Sequence, residues 1–205
     1  MRSGVNIVLV LVALALPAAV PAQAGVVINE LMADPASDWS PTDGNDEYSS
    51  VEDEWLEIHN TGEDPVDVTG WRLRDAVSDS SWRYGFEGTI APGGFLVVYG
   101  NEAYAWEDEN GYPRYGLSLN NGGDVVTLVR ADHVTVVDAV AYEGDETRDD
   151  CSFGRLPDGS LDWQLLDGMN PLDPPATGVR PSPGGPNVCS PVAGETWGVI
   201  KALYR

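Results

Sequence analysis

Apolar positions recur along this chain in short runs that alternate with polar ones, and almost nowhere at helical spacing. Residues 25–32 form a β-branched run, V-V-I-N-E-L-M after Gly25, which ends at Ala33-Asp34-Pro35 because a proline stops regular pairing. In 55–59 the alternation sets Leu56 and Ile58 on one face of a strand and Trp55, Glu57 and His59 on the other, and the aliphatic face is expected in the core. Val66, Val68, Trp71 and Leu73 continue the pattern across Gly70, and 82–86 offer a short aromatic strand. The run F-L-V-V-Y at 95–99 reads as a fully buried strand. Residues 101–115 are mixed, acidic and aromatic, and read as a loop or a single helical turn. A turn at Asn120-Asn121-Gly122-Gly123 leads into a hairpin of 125–129 and 133–142, and 152–156 and 163–166 flank the Pro157-Asp158-Gly159 turn. Many short strands with long connections predict an all-β, immunoglobulin-like β-sandwich.

The two ends of the chain read differently from its middle. Residues 1–24 have the three parts of a secretory signal: Arg2, an apolar stretch at 5–16, and the small-x-small site Ala22-Gln23-Ala24. That stretch is shorter than the roughly 20 residues a spanning helix needs, so no transmembrane segment is expected after cleavage. The sandwich is assigned to 25–172. Residues 173–194, rich in proline and glycine, read as a linker or as chain lying along the domain surface, and 195–205 as a tail for sorting or docking. The implied address is outside the cytoplasm, secreted or attached to the cell surface. With 33 acidic residues against 11 basic ones the formal charge is −22, which excludes nucleic acid as a natural partner. Seven tryptophans and 42 % apolar residues rule out a disordered acidic chain. Two cysteines in an exported chain suggest a Cys151–Cys189 disulfide, whose loop closure would contribute on the order of 4 kcal/mol.

Several segments, in this order, resemble the lamin-tail domain family in its secreted bacterial form: V-I-N-E-L-M at 27–32, D-E-W-L-E-I-H-N-T-G at 53–62, D-V-T-G-W-R-L-R-D at 67–75, and I-A-P-G-G-F-L-V-V at 90–98. They are followed by L-S-L-N-N-G-G-D-V-V-T-L at 117–128, V-V-D-A-V-A-Y at 136–142, S-F-G-R-L-P-D-G at 152–159 and P-S-P-G-G-P-N at 181–187. The resemblance implies an immunoglobulin-like sandwich without catalytic machinery, used as an accessory module at cell surfaces. It also implies a calcium-loop-like insertion between the first two strands.

Candidate chemistry concentrates in that insertion, where eight carboxylates lie between Asp34 and Glu54. Set against the twelve-residue calcium pattern, Asp43, Asn45, Glu47 and Glu54 take the first, third, fifth and twelfth places, with the Ser49 carbonyl at the seventh. Oxygen ligands at that spacing suit Ca²⁺, although Tyr48 stands where the pattern wants glycine; a solvated acidic loop is the competing reading. Glu30 and Glu57 could be drawn as a paired acid and base, but on strands of this kind they read as structural hydrogen-bond acceptors. His59 and His133 read as surface strand residues. No phosphate loop, nucleophile elbow or Cys–His pattern occurs, and the tryptophans are too scattered to form a sugar platform. The sequence therefore predicts a non-catalytic binding or architectural module whose partner is an extracellular protein or a surface polymer. The competing class is a metal-dependent extracellular hydrolase, or an accessory part of one, working through the loop carboxylates.

Overall fold

The run 26–32 is buried along its whole length because it lies in the middle of a sheet. In the computed structural model, which describes residues 25–44, 47–75 and 81–188, this strand, β1 (Val26–Met32), pairs antiparallel with β2 (Trp55–Asn60) on one side. Its other neighbour is β10 (Ser152–Arg155). β11 (Trp163–Leu166) extends the sheet beyond β10, and β7 (Phe95–Tyr99) extends it beyond β2, giving the order β11-β10-β1-β2-β7. The facing sheet has the order β5-β4-β8-β9, built from β4 (Arg72–Asp75), β5 (Trp82–Gly85), β8 (Gly123–Val129) and β9 (Val136–Glu143). A two-stranded ribbon of β3 (Val66–Asp67) and β6 (Thr89–Ile90) closes one side. All pairings are antiparallel, and the arrangement is an immunoglobulin-like β-sandwich.

The core lies between the two larger sheets, as alternation requires. Ile28, Leu31, Leu56, Ile58, Val98 and Phe153 meet Leu73, Val126, Leu128, Val140 and Tyr142 there. Two of the sequence expectations change. β7 is an edge strand, so Phe95, Leu96 and Val97 are half-buried instead of sealed on both faces; an apolar run does not reveal whether a second neighbour exists. Residues 100–110 form an 11-residue helix, α1 (Gly100–Asn110), where a loop or one turn was expected. Its buried positions are Gly100, Ala103 and Glu107, too few apolar residues to set up a 3.6-residue period. Its ends are set locally instead. Glu102 accepts a hydrogen bond from the Tyr99 N–H at 3.0 Å, and Gly111 stops the helix at φ 75°.

One device joins the sheets. The β1–β2 register shifts between Ile28 and Glu30, a bulge that turns the Ile28 N–H out of the ladder. Asp138 of β9 accepts that N–H at 2.9 Å and pairs with Arg155 at 2.9 Å, while Arg155 Nε donates to the Ile28 carbonyl at 2.7 Å. The bulge also turns Glu30 to the outer face, level with Glu57.

Candidate functional site

Trp55, Glu57 and His59 point away from the core, and on an exposed sheet they would meet water. Here residues of the proline- and glycine-rich segment lie as a strap across Glu57 and its cross-strand neighbour Glu30. Glu30 Oε1 accepts from the Ser152 hydroxyl and from the Ser182 N–H at 3.2 Å. Glu57 accepts from Asn29 Nδ2 at 3.0 Å and from the Gly184 N–H at 2.7 Å. Asn187 anchors the far end: its N–H donates to Asp158 at 3.0 Å, its Nδ2 to the Arg155 carbonyl at 3.1 Å, and its Oδ1 accepts from Ser182 Oγ at 2.7 Å. The near end is organised by Asp167, whose carboxylate accepts the N–H groups of Leu172, Ala176, Thr177 and Gly178. Burial works against that charge, yet the four donors hold the Asp167 carboxyl well below the usual carboxylate range. Hydrogen bonds to the sandwich therefore continue past 172 as far as Asn187.

Both glutamates are 0 % exposed. Burial, with the neighbouring Glu57 charge adding to it and the Ser152 hydroxyl opposing it, pushes Glu30 up to about 8. Burial also pushes Glu57 up to about 7, against its hydrogen bond from Asn29. Two carboxyls in this range could exchange a proton with a substrate. Each, however, already accepts from donors of the chain itself, and Ser182 and Gly184 lie where a substrate would have to enter. The pair acts as a set of acceptors for the strap, in the structural role its strand positions suggest. His59, expected at the surface, is 8 % exposed; its ring stacks on Phe95 at 4.2 Å and Nδ1 lies 3.1 Å from the Gly94 carbonyl.

The acidic loop is folded around Asp53. One carboxylate oxygen accepts the N–H groups of Trp39 and Ser40, each at 2.7 Å, and the other accepts the Ser49 N–H at 2.7 Å. Trp39 then packs with Met32, Trp55, Tyr99 and Val97 on the outer face of the five-stranded sheet, and its Nε1 donates to Asp150 at 2.7 Å. Asp38, Asp43 and Asp53 bring carboxylate oxygens within 4.8 Å of one another. This set differs from the linear calcium reading. Asp43 is in it, whereas Glu54, on the opposite side of the chain from Asp53, is buried and accepts the Leu119 N–H at 3.1 Å. Burial pushes the Glu54 carboxyl well above its ordinary range. The Ser49 carbonyl accepts the Asp53 N–H at 3.1 Å, Glu47 is exposed, and Asn45 lies outside the described residues. Spacing missed Asp38 and Asp53 because the loop closes in space, through Asp53, and not along a twelve-residue frame. Asp53 has about one acceptor site left after three N–H bonds, so a hard cation would draw chiefly on Asp38 and Asp43.

Cys151 is buried, with Sγ 3.6 Å from the Asn170 carbonyl, and burial pushes its thiol up. Cys189, its expected partner, lies outside the described residues, as do the signal sequence at 1–24 and the tail at 195–205. Among the described residues no helix is long and apolar enough to cross a membrane.

Two antiparallel sheets, cross-linked through Asp138 and sealed on one outer face by the chain's own strap, define an immunoglobulin-like module with its buried acids engaged in holding the fold. The chain belongs to the Lamin Tail Domain family, whose model matches residues 19–144, from before β1 to the end of β9. That family is one of immunoglobulin-like, non-enzymatic domains. No curated protein matches the chain.

Proposed function

We propose that this is a secreted, non-catalytic lamin-tail module that binds or builds structure at the cell surface or outside the cell. Its partner is an extracellular protein or a surface polymer, and a calcium ion steadies the acidic loop. The observation that carries this reading is the fate of the perturbed acids. Glu30 and Glu57, the pair best placed for acid–base chemistry, are capped by Ser182 and Gly184 of the same chain. Support for calcium comes from the convergence of Asp38, Asp43 and Asp53, oxygen donors whose charges repel unless a cation or solvent intervenes. The shallow depression of about 370 Å³ lined by Gly122, Asp124, Val125, Tyr142 and Glu143 contains none of these loop carboxylates.

The test uses the secreted chain and an envelope fraction of the cells that make it. Saturable binding without turnover, together with calcium uptake in calorimetry that is lost in Asp38→Asn/Asp43→Asn, is the expected result. Metal-dependent hydrolysis of ester, phosphodiester, peptide or glycoside substrates, abolished by Asp53→Asn, would overturn it in favour of a hydrolase.

A further inference from the structure

The outer face of the four-stranded sheet is basic, in a chain whose formal net charge is −22. β4 runs regularly against β8, with Arg72 opposite Val129 and Arg74 opposite Thr127, so alternation turns both arginines away from Leu73 and the core. On the other side of β4, Leu73 pairs with Tyr84 and Arg74 with Trp82, which leaves Arg83 as the extra residue of a bulge. That bulge brings Trp82 beside Arg74, whose guanidinium lies 5.9 Å from the centre of the indole. His133, from the loop between β8 and β9, approaches the same ring at 5.4 Å. Arg72 lies 5.2 Å from the centre of Trp106 of α1. Gly85 makes the room for this pair, since a Cβ there would stand 2.4 Å from Arg72 Nη1 and 2.7 Å from Trp106 Nε1.

Trp106 also stacks on Tyr112 at 5.3 Å, so both indoles have neighbours against their rings and neither offers a free platform. What the face presents outward is guanidinium edges. A guanidinium lying on a ring keeps its N–H donors in its own plane, ready for a carboxylate. Arg83, Arg114 and Arg155 are ion-paired. Among the described residues Arg72 and Arg74 have no ion pair, and Arg72 uses one donor on the Trp71 carbonyl at 3.1 Å. The two side chains leave the strand roughly 7 Å apart, a spacing that a pair of acidic side chains on one segment can match.

The complementary surface is on the same chain but on the other layer. The acidic loop packs through Trp39 on the outer face of the five-stranded sheet, where Asp38 and Glu47 are exposed, with Tyr48 beside them at 51 % exposure. We propose that the Arg72–Arg74 face receives the acidic loop of a second copy of this chain in its calcium-free form, through Asp38, Asp43 and Glu47. This rests on the architectural reading above and names its partner. Because the two surfaces are different patches, a pair leaves one loop free on one copy and one face free on the other, and the association is head-to-tail and open-ended. The like net charges of two copies repel at long range. At about 0.15 M salt that repulsion is screened beyond about 8 Å, while guanidinium groups half-buried on indoles are screened less.

Sedimentation velocity on the mature full chain at about 0.15 M salt, with a chelator present, tests the proposal. Wild type is expected to form larger species as concentration rises. Arg72→Gln/Arg74→Gln and Asp38→Asn/Asp43→Asn/Glu47→Gln are each expected to associate about tenfold more weakly or not at all, with unchanged circular dichroism. Mixing these two variants should restore a two-copy species and nothing larger, because one supplies an intact face and the other an intact loop. A wild type that stays single to about 1 mM, variants that assemble as wild type does, or a mixture that stays inert would each overturn the proposal. If single copies instead bind immobilised polyglutamate through Arg72 and Arg74, the face belongs to a polyanion and the second copy is excluded. Envelope binding that persists without self-association would sink this inference and leave the proposed function standing.

Discussion

Glu30 and Glu57 are direct partners across β1 and β2, side by side on the outer face and both fully buried. Their carboxyls are pushed up to about 8 and about 7, whereas in the unfolded chain they would titrate near 4.5. The folded state therefore holds protons that the unfolded state has already released over this window. Stability is greatest at the acid end, near pH 4.5, and falls as pH rises through about 7 to 8. The thermal midpoint should be higher at about pH 5 than at about pH 9, by roughly 5 °C or more. Glu30→Gln, which keeps the shape without the charge, should flatten the profile. A midpoint that is level or rises over that range would contradict the account.

Asn187 closes the strap over that pair. Asn187→Ala removes its bonds to Arg155 and Ser182 and should cost about 1–3 kcal/mol. Limited proteolysis should then cut near 180–187 while the sheets stay intact. Unchanged cutting in that segment would show that Asn187 does not hold it.

Asp53 gathers three N–H groups of the acidic loop, and Asp53→Ala leaves those of Trp39, Ser40 and Ser49 without it. A loss of about 2–4 kcal/mol is expected. Hydrogen exchange should quicken at 39–49 far more than in β8 and β9, and uniform loosening would count against a local role.

Asp138→Ala removes the acceptor of the Ile28 N–H and the partner of Arg155, whose side chain is 4 % exposed. Leaving a buried guanidinium unpaired costs about 3–5 kcal/mol. Asp138→Asn, which can still accept from Ile28, should cost less in denaturant melts; equal losses would mean that the Ile28 bond contributes nothing.

Gly100 begins α1 with its Cα against the acidic loop, and an added Cβ would lie 1.8 Å from the Val51 carbonyl oxygen. Because the obstacle is backbone, Gly100→Ala should cost several kcal/mol or prevent folding, whereas Gly122→Ala, with open space around it, should cost well under about 1 kcal/mol. Near-equal stabilities of the two variants would show that the chain at Val51 gives way.

Much of the fold was legible because alternation writes a half-buried strand directly into sequence. Leu56 and Ile58 point inward and Trp55 and Glu57 outward as their period of two requires, and the run at 95–99 is a strand at those residues. What period alone misses is what covers an outer face. Residues 181–187 read as a linker or as chain lying along the surface, and composition does not choose between them, since glycine and proline signal only an extended chain; their value lies in N–H groups at Ser182 and Gly184 that meet acids far away in sequence. The same holds for the acidic loop. Counting along it selects Asp43 and Glu54, while the pleat at the start of β2 sends Asp53 into the loop and Glu54 toward Leu119. The helix at 100–110 was hidden because its buried face is made of Gly100, Ala103 and a glutamate. Arg72 and Arg74 do carry a signal in sequence, an R-L-R alternation in a strand of a strongly acidic chain.

The strap also imposes an order of events. Ser182 donates to Glu30 across 152 residues of sequence, and β1 waits for β10, as Glu30 does for Gly154. A ribosome releasing this chain from its N-terminal end delivers the two acids early and their cover late. Until residues 182–187 emerge, Glu30 and Glu57 stand in water and ionise freely, and the nascent sandwich keeps a hydrated, charged flank. Contacts of such long range fold slowly, so the outer face of β1 and β2 is among the last parts of the sandwich to be covered.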